Sequence, residues 1–326
     1  MSFLYFLEKI RNPVFDVFFS GVTYLGGEGV FLVVAILLLW CADKREGYYV
    51  LFTCYFGAAV NQFLKLLCRV PRPWVRDPDF TIVESARAGA TGYSFPSGHT
   101  QNAVGMFGAY AAAKRQRRVF IVSAVLIFLV GLSRMYLGVH TPADVLTSLG
   151  VGLLLTAALY PLFRSEESFR RCAPWLFFGA ALLSVGFMLF AFLFPDGVAD
   201  ETNLASARKT ACTLLGAVLG LVPAYFLDRF RLRYPTHGRI YAQVLKVAGG
   251  LAVVLLIQNG LRTPLLWLFG GREYVARTVR YFLLAAFAGM VWPLTFRYFS
   301  NLRLAAFDRW LTKHGFLKET ETESEV

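Results

Sequence analysis

The sequence predicts an all-α, polytopic transmembrane helical bundle, and three observations carry that prediction. The 326-residue chain is 56% hydrophobic and only 17% charged, with a mean hydropathy of +0.52, too apolar for a soluble domain to cover its own surface. Its apolar residues fall in runs of about 20, the length that crosses a hydrocarbon core. Its Lys and Arg residues, which leave a net charge of +12, gather in short segments between those runs. Cytoplasmic membrane loops look like this and a groove for a polyanion does not, so the expected partner is the bilayer, with no nucleic acid.

Taken in order, Phe3 to Ile10 (FLYFLEKI) reads as a short interfacial helix with aromatic anchors and lacks the basic start and cleavage site of a targeting peptide. About nine spans follow, near 14–41, 47–68, 97–113, 117–134, 143–163, 174–194, 208–227, 240–258 and 275–297. The first is interrupted by Gly26-Gly27-Glu28-Gly29, which makes a kink or two shorter helices. The third is short and carries Gln101 and Asn102, which predicts a helix buried among others. After Tyr298 comes an amphipathic stretch (NLRLAAFDRWLTKHGF), expected on the cytoplasmic surface, and then an acidic end, Glu319 to Val326, expected to be disordered. The predicted units are a membrane-embedded core at 1–168, additional transmembrane helices at 169–298 and a tail at 299–326. Cys41, Cys54, Cys68, Cys172 and Cys212 show no C-x-x-C pairing and are expected as free thiols in or beside apolar segments.

Loop charge sets the expected orientation. Lys44 and Arg45, then Lys114, Arg115, Arg117 and Arg118, then Arg164, Arg170 and Arg171, then Arg229, Arg231 and Arg233 occupy alternate loops. The positive-inside rule makes that side cytoplasmic, with the C-terminus. The other loops are then extracytoplasmic, and they hold three short blocks of ionisable residues: Lys65 to Pro73 (KLLCRVPRP), Tyr93 to Thr100 (YSFPSGHT) and Ser133 to Asp144 (SRMYLGVHTPAD). Ionisable groups beside hydrophobic segments are costly enough to be functional by default.

In the first block Lys65 and Arg72 are seven residues apart, which on a continuing helix puts both on one face, before Pro71 and Pro73 close it. An Arg fork with a Lys point charge suits a phosphoryl group, although the same residues would also anchor a helix at lipid headgroups. In the second block Pro96-Ser97-Gly98-His99 stands where a loop meets a helix. A helix start offers free N–H groups, Gly98 admits an oxyanion, Ser97 adds a hydroxyl and His99 a proton for a leaving oxygen; the plainer reading is an ordinary cap with a surface histidine. In the third block Arg134 ends a span, and Asp144 follows His140 by four residues across the helix start Thr141-Pro142. A carboxylate there orients an imidazole, or simply complements the helix dipole. The chain has four histidines, two of them in these blocks.

Lys-six-residues-Arg-Pro, Pro-Ser-Gly-His, and Ser-Arg-five-residues-His-three-residues-Asp resemble the three signature motifs of the type-2 phosphatidic acid phosphatase and vanadium haloperoxidase superfamily, over about residues 12–165. The resemblance implies a six-helix-type core without a metal or other cofactor. His140 would attack phosphorus with Asp144 orienting it, Lys65, Arg72, Ser97, Gly98 and Arg134 would hold the equatorial oxygens, and His99 would protonate the leaving oxygen. The implied activity is hydrolysis of a lipid phosphate or diphosphate, such as phosphatidic acid, a sphingoid-base phosphate or a polyprenyl diphosphate. The nine-span layout is similar to that of glucose-6-phosphatase and the sphingosine-phosphate phosphatases, which keeps a sugar phosphate in view. Phosphotransfer to a lipid or sugar acceptor, and a non-catalytic lipid-phosphate binding or transport protein, are the remaining alternatives. In the C-terminal half Arg208, Lys209, Arg262, Arg272, Arg277 and Arg280 lie on the motif side, as interfacial anchors or as contacts for an anionic headgroup.

Overall fold

In the computed structural model every regular element among the described residues, 1–195, 197–305, 308, 309, 313 and 314, is helical. Seven helical runs are long and apolar enough to cross a membrane, and a bent pair makes an eighth. The pair is α2 (Pro13–Thr23) and α3 (Glu28–Cys41), which follow the short N-terminal helix α1 (Ser2–Lys9). The axis bends by 48° at the expected glycine break. Asn12 starts α2 by accepting the N–H groups of Val14 and Phe15, both at 3.1 Å, ahead of Pro13 in the first turn.

Helix α4 (Lys44–Cys68) is the central post, capped by Asp43 Oδ1 on Arg45 N and Glu46 N at 2.8 and 3.1 Å. It ends earlier than a shared Lys65/Arg72 face requires. Arg69 takes the left-handed conformation, φ 50°, and Pro71 both disfavours a helical Val70 and lacks the N–H to continue the ladder. Arg72 therefore caps a separate short helix, α5 (Pro73–Arg76).

The expected span near 97–113 is a run from Gly98 to Lys114, made of α6 (Gly98–Ala103), a π-helical turn (Val104–Gly108) and α7 (Ala109–Lys114). It is shorter than the seven that qualify by length. Then come α8 (Arg117–Tyr136), α9 (Pro142–Phe163), α10 (Glu166–Phe192), α11 (Glu201–Leu227), α12 (Ile240–Gly260), the short α13 (Arg262–Leu268), α14 (Glu273–Ala286) and α15 (Phe296–Asn301). The amphipathic stretch 301–316 lies partly, and the acidic end wholly, outside the described residues, as does Asp196.

Lipid tails are as apolar as Leu, so close packing and interhelical hydrogen bonds hold such helices together. Rings of α4, α9, α10 and α11 interlock: Tyr48 stacks on Phe169 at 5.4 Å, Phe52 meets Phe177 edge-on at 4.9 Å, and Phe177 meets Tyr225 at 5.0 Å. Tyr55 reaches from α4 to Leu214 O of α11 at 2.9 Å and to Ser184 of α10. Helices α11 and α14 approach until a Cβ on Gly216 would stand 2.2 Å from Thr278 O, and one on Gly220 would stand 2.7 Å from Ala285 Cβ. That is the small-residue spacing of tightly apposed membrane helices.

The two ends of the bundle differ. At one end Lys44 pairs with Asp228 at 2.7 Å, Lys114 with Glu46 at 2.7 Å, Arg45 donates to Arg164 O at 3.1 Å and Arg229 to Arg170 O at 3.0 Å. The three motif blocks meet at the other.

Candidate active site

Each block arrives on the end of a helix. His140 follows α8, whose last turn is closed by Val139 and His140 N–H donating to Arg134 O at 3.1 and 3.2 Å. Gly138, at φ +79°, makes the turn; an L side chain there would be strained. Thr141 and Asp144 then form a capping box around Pro142: Thr141 Oγ1 accepts from Asp144 N at 3.3 Å and Asp144 Oδ2 from Thr141 N at 2.8 Å. The same Oδ2 accepts from Ser94 Oγ at 2.5 Å and lies 3.3 Å from His140 Nδ1. One side chain thus makes both contacts, to the first turn of α9 and to the imidazole.

The other imidazole nitrogen, Nε2, is 2.9 Å from Arg72 Nη1. A guanidinium can only donate, so Nε2 is an acceptor with a lone pair and the proton sits on Nδ1, toward Asp144. Burial, and after it the charges of Arg72, Arg134, Lys65 and His99, hold His140 well below the ordinary imidazole range. The imidazole is therefore neutral, its Nε2 lone pair aimed into a cluster of cations.

Arg72 is fixed by carbonyls: Nη2 to Thr91 O at 2.8 Å, Nε to Gly92 O at 3.1 Å and Nη1 to Val139 O at 2.9 Å. Lys65 Nζ donates to Tyr93 O, and Arg134 Nη1 to Thr23 Oγ1 of α2 at 2.5 Å. Among the described residues, Arg134 Nε is buried with no hydrogen-bond partner. Lys65, Arg72, Arg134, His140, Asp144 and Ser97 are all buried. Three cations against one carboxylate leave two positive charges in a low-dielectric setting, the complement of a phosphate dianion.

Ser97 closes the cluster through its N–H to Asp144 O at 3.1 Å, while its hydroxyl caps α6 by accepting from Thr100 N at 3.4 Å and Thr100 Oγ1 at 3.0 Å. Gly98 starts α6, and His99 follows half-buried, within electrostatic reach of Arg134, Arg72 and Lys65. Its carbonyl packs on the break between α2 and α3, where a Cβ on Gly26 would stand 2.6 Å from His99 O. The structure thus brings the expected residues together at one end of the bundle. Sequence reasoning missed Ser94, Thr23 and the carbonyls of 91–93. Ser94 stands inside a quoted block; Thr23, 111 residues from Arg134, gives no local signal.

The C-terminal cations mostly stitch helices. Arg208 donates to Ala191 O at 3.1 Å, Lys209 pairs with Glu273 at 3.0 Å, Arg277 bonds Thr213 Oγ1 at 2.8 Å and Arg280 bonds Gln258 O at 3.1 Å. Lys209 and Arg277 also line, with Arg69, Arg72 and Tyr93, a polar vestibule of about 1080 Å³ between the motif loops and α11. Among the described residues no three His, Cys, Asp or Glu side chains gather as a metal site.

The family model described as PAP2 superfamily matches residues 46–167, which contain all three blocks, and a second, PAP2 superfamily phosphatase, transmembrane extension, matches 209–306. Phosphatidylglycerophosphatase B of Bacillus subtilis is 31% identical over 163 residues, 45% of this chain and 74% of that protein. The chain belongs to the PAP2 superfamily. Lipid phosphate phosphatase delta of Arabidopsis thaliana is 24% identical over 84% of this chain and 66% of its own length. Undecaprenyl-diphosphatase BcrC of Bacillus subtilis is 28% identical over 44% of this chain and 73% of its own. No solved structure matches. As a PAP2 phosphatase the protein is a multi-pass membrane enzyme acting on lipid phosphates or diphosphates, from a metal-independent hydrolase family.

Proposed function

We propose that this PAP2 enzyme cleaves the phosphate ester or anhydride of a long-chain lipid through a phosphohistidine at His140. Phosphatidic acid, a sphingoid-base phosphate and a polyprenyl diphosphate are candidate substrates, joined by phosphatidylglycerophosphate on the strength of the Bacillus relative's name. In the proposed sequence His140 Nε2 forms a bond to phosphorus as the bond to the lipid oxygen breaks, and His99 gives that oxygen its proton. Water then attacks the phosphohistidine, His99 takes back a proton, and inorganic phosphate leaves. Lys65, Arg72, Arg134 and the Gly98 backbone N–H hold the equatorial oxygens, the Ser97 N–H being taken by Asp144 O, and Asp144 keeps the proton on Nδ1 so that Nε2 stays nucleophilic.

The observation that carries the lipid reading is an apolar groove of about 1000 Å³ along α8 and α9. It starts next to His99, Arg134 and Asp144, at Thr100, Met135 and Val145, and runs to Arg115 and Arg164 at the opposite end of the bundle. A hydrocarbon tail fits such a groove; a sugar has no use for it. Nine passes are proposed, the run Gly98–Lys114 being the ninth, because His99 sits among the motif residues while Lys114 pairs with Glu46 at the other end. The basic loops at that end support an extracytoplasmic site and a cytoplasmic C-terminus.

The test is phosphate release by detergent-solubilised protein in EDTA, over phosphatidic acid, sphingosine phosphate, a polyprenyl diphosphate and glucose 6-phosphate. Release from a lipid, undiminished by EDTA and abolished in His140→Ala, is the expected result. Release from glucose 6-phosphate alone defeats the lipid reading, and an active His140→Ala defeats the nucleophile.

A further inference from the structure

Four consecutive residues join the cations of the site to the C-terminal helices. The carbonyls of Thr91, Gly92 and Tyr93 hold Arg72 Nη2, Arg72 Nε and Lys65 Nζ in turn, and Ser94 Oγ donates to Asp144 Oδ2 at 2.5 Å. One short strap thus aims both cations and the carboxylate that orients His140. The strap has no helical ladder of its own, so its place depends on the bonds it makes at its edges. On the core side Ser94 N donates to Val70 O at 2.8 Å. On the far side the buried Tyr93 hydroxyl accepts the backbone N–H of Asp200 at 3.0 Å, the residue that caps α11. A Cβ on Gly92 would lie 3.6 Å from Ser206 Oγ, so α11 backs the strap at contact distance.

We propose that Tyr93 is a positioning residue through which the C-terminal helices set the cations of the phosphate site: its bond to α11 fixes the strap, and the strap fixes Lys65 and Arg72. The proposal rests on the reading above, in which those cations hold the scissile phosphate. It gives α11, which leads into the transmembrane extension, a part in catalysis without placing any of its side chains on the substrate. Cations that must meet three equatorial oxygens work only when pre-aimed, and small misplacements are costly in such sites.

Tyr93→Phe keeps the ring and removes only the hydroxyl. A lost hydrogen bond of ordinary strength predicts a three- to tenfold fall, roughly, in kcat/KM and an equal loss of vanadate affinity, with the melting temperature little changed. The partner N–H is removed independently by Asp200→Pro, since the φ of −58° at Asp200 suits proline; Asp200→Ala, which loses the cap but keeps the N–H, is the reference. Asp200→Pro should lose, relative to Asp200→Ala, what Tyr93→Phe loses from wild type, and the pair should not add. Unchanged vanadate affinity in a folded Tyr93→Phe, additive losses, or a lowered melting temperature alone would overturn the proposal, and a gain in activity would make the strap an inhibitory cover instead. Failure of the wild type to release phosphate, or activity in His140→Ala, would refute the phosphatase mechanism itself and is seen separately.

Discussion

His140 shows how one contact decides the chemistry of a ring. With Arg72 on Nε2 and Asp144 on Nδ1, the imidazole is neutral and correctly protonated before a substrate arrives. Its depressed pKa, caused first by burial and then by Arg72, Arg134, Lys65 and His99, also makes a stability statement. In the unfolded chain an imidazole takes its proton near pH 6.5 or so, whereas in the folded protein it resists. The unfolded state therefore binds more protons as pH falls, and stability falls with it. The contribution is present above about pH 6.5 and is lost progressively below that, down to the folded pKa. Melting temperature in detergent between pH 7.5 and 5.5 should drop more steeply for the wild type than for His140→Asn; equal slopes would show that the ring is not held neutral. The identity of this residue and of its partners was legible because motif spacing survives in sequence. The tautomer was not, since it depends on a guanidinium 68 residues away.

The helices were legible through apolar run length, and their ends less so. A seven-residue spacing suggested a shared face for Lys65 and Arg72, yet the left-handed Arg69 and Pro71 break the helix and swing Arg72 round from a separate start. The glycine break in the first span predicts a kink or two shorter helices, but sequence alone gives no partner for it. In the structure it lets α2 and α3 pass the start of α6, with no room for a Cβ between Gly26 and His99 O or Val130 Cγ1, 2.6 and 2.7 Å away. Gly26→Ala presses on both, and overpacking of this kind costs about 1–3 kcal/mol. A shift of the His99 backbone would displace the side chain proposed to protonate the leaving oxygen, so kcat should fall further than stability does. Comparing the melting temperature with phosphate release per folded molecule tests this. A variant with wild-type kcat would mean the strain is absorbed in α8, on the Val130 side.

For the bundle as a whole, the remaining question is which end faces out, and charge argues it. The helix ends at Lys44, Lys114, Arg164 and Arg229 converge through ion pairs and carbonyl bonds, so the basic loops that alternate along the sequence also share one face in space. Positive loops stay cytoplasmic because their translocation is disfavoured. The motif end carries basic residues too, but Lys65, Arg72 and Arg134 are buried against carbonyls and hydroxyls, and the exposed Arg76 and Arg87 share their loop with Asp77, Asp79 and Glu84, the last paired with Arg87. An outward site also suits a chemistry that releases phosphate from a membrane lipid without drawing on cytoplasmic phosphoesters. Labelling decides the matter. In a background with all five native cysteines replaced, Cys68 being already exposed near the site, Gly89→Cys in the exposed motif loop and Gln116→Cys at the opposite end report the two faces. An impermeant thiol reagent on intact cells should modify the first, and the second only after permeabilisation. The reverse pattern would turn the enzyme over, putting the phosphate site in the cytoplasm and requiring the basic loops to have crossed the membrane against their charge.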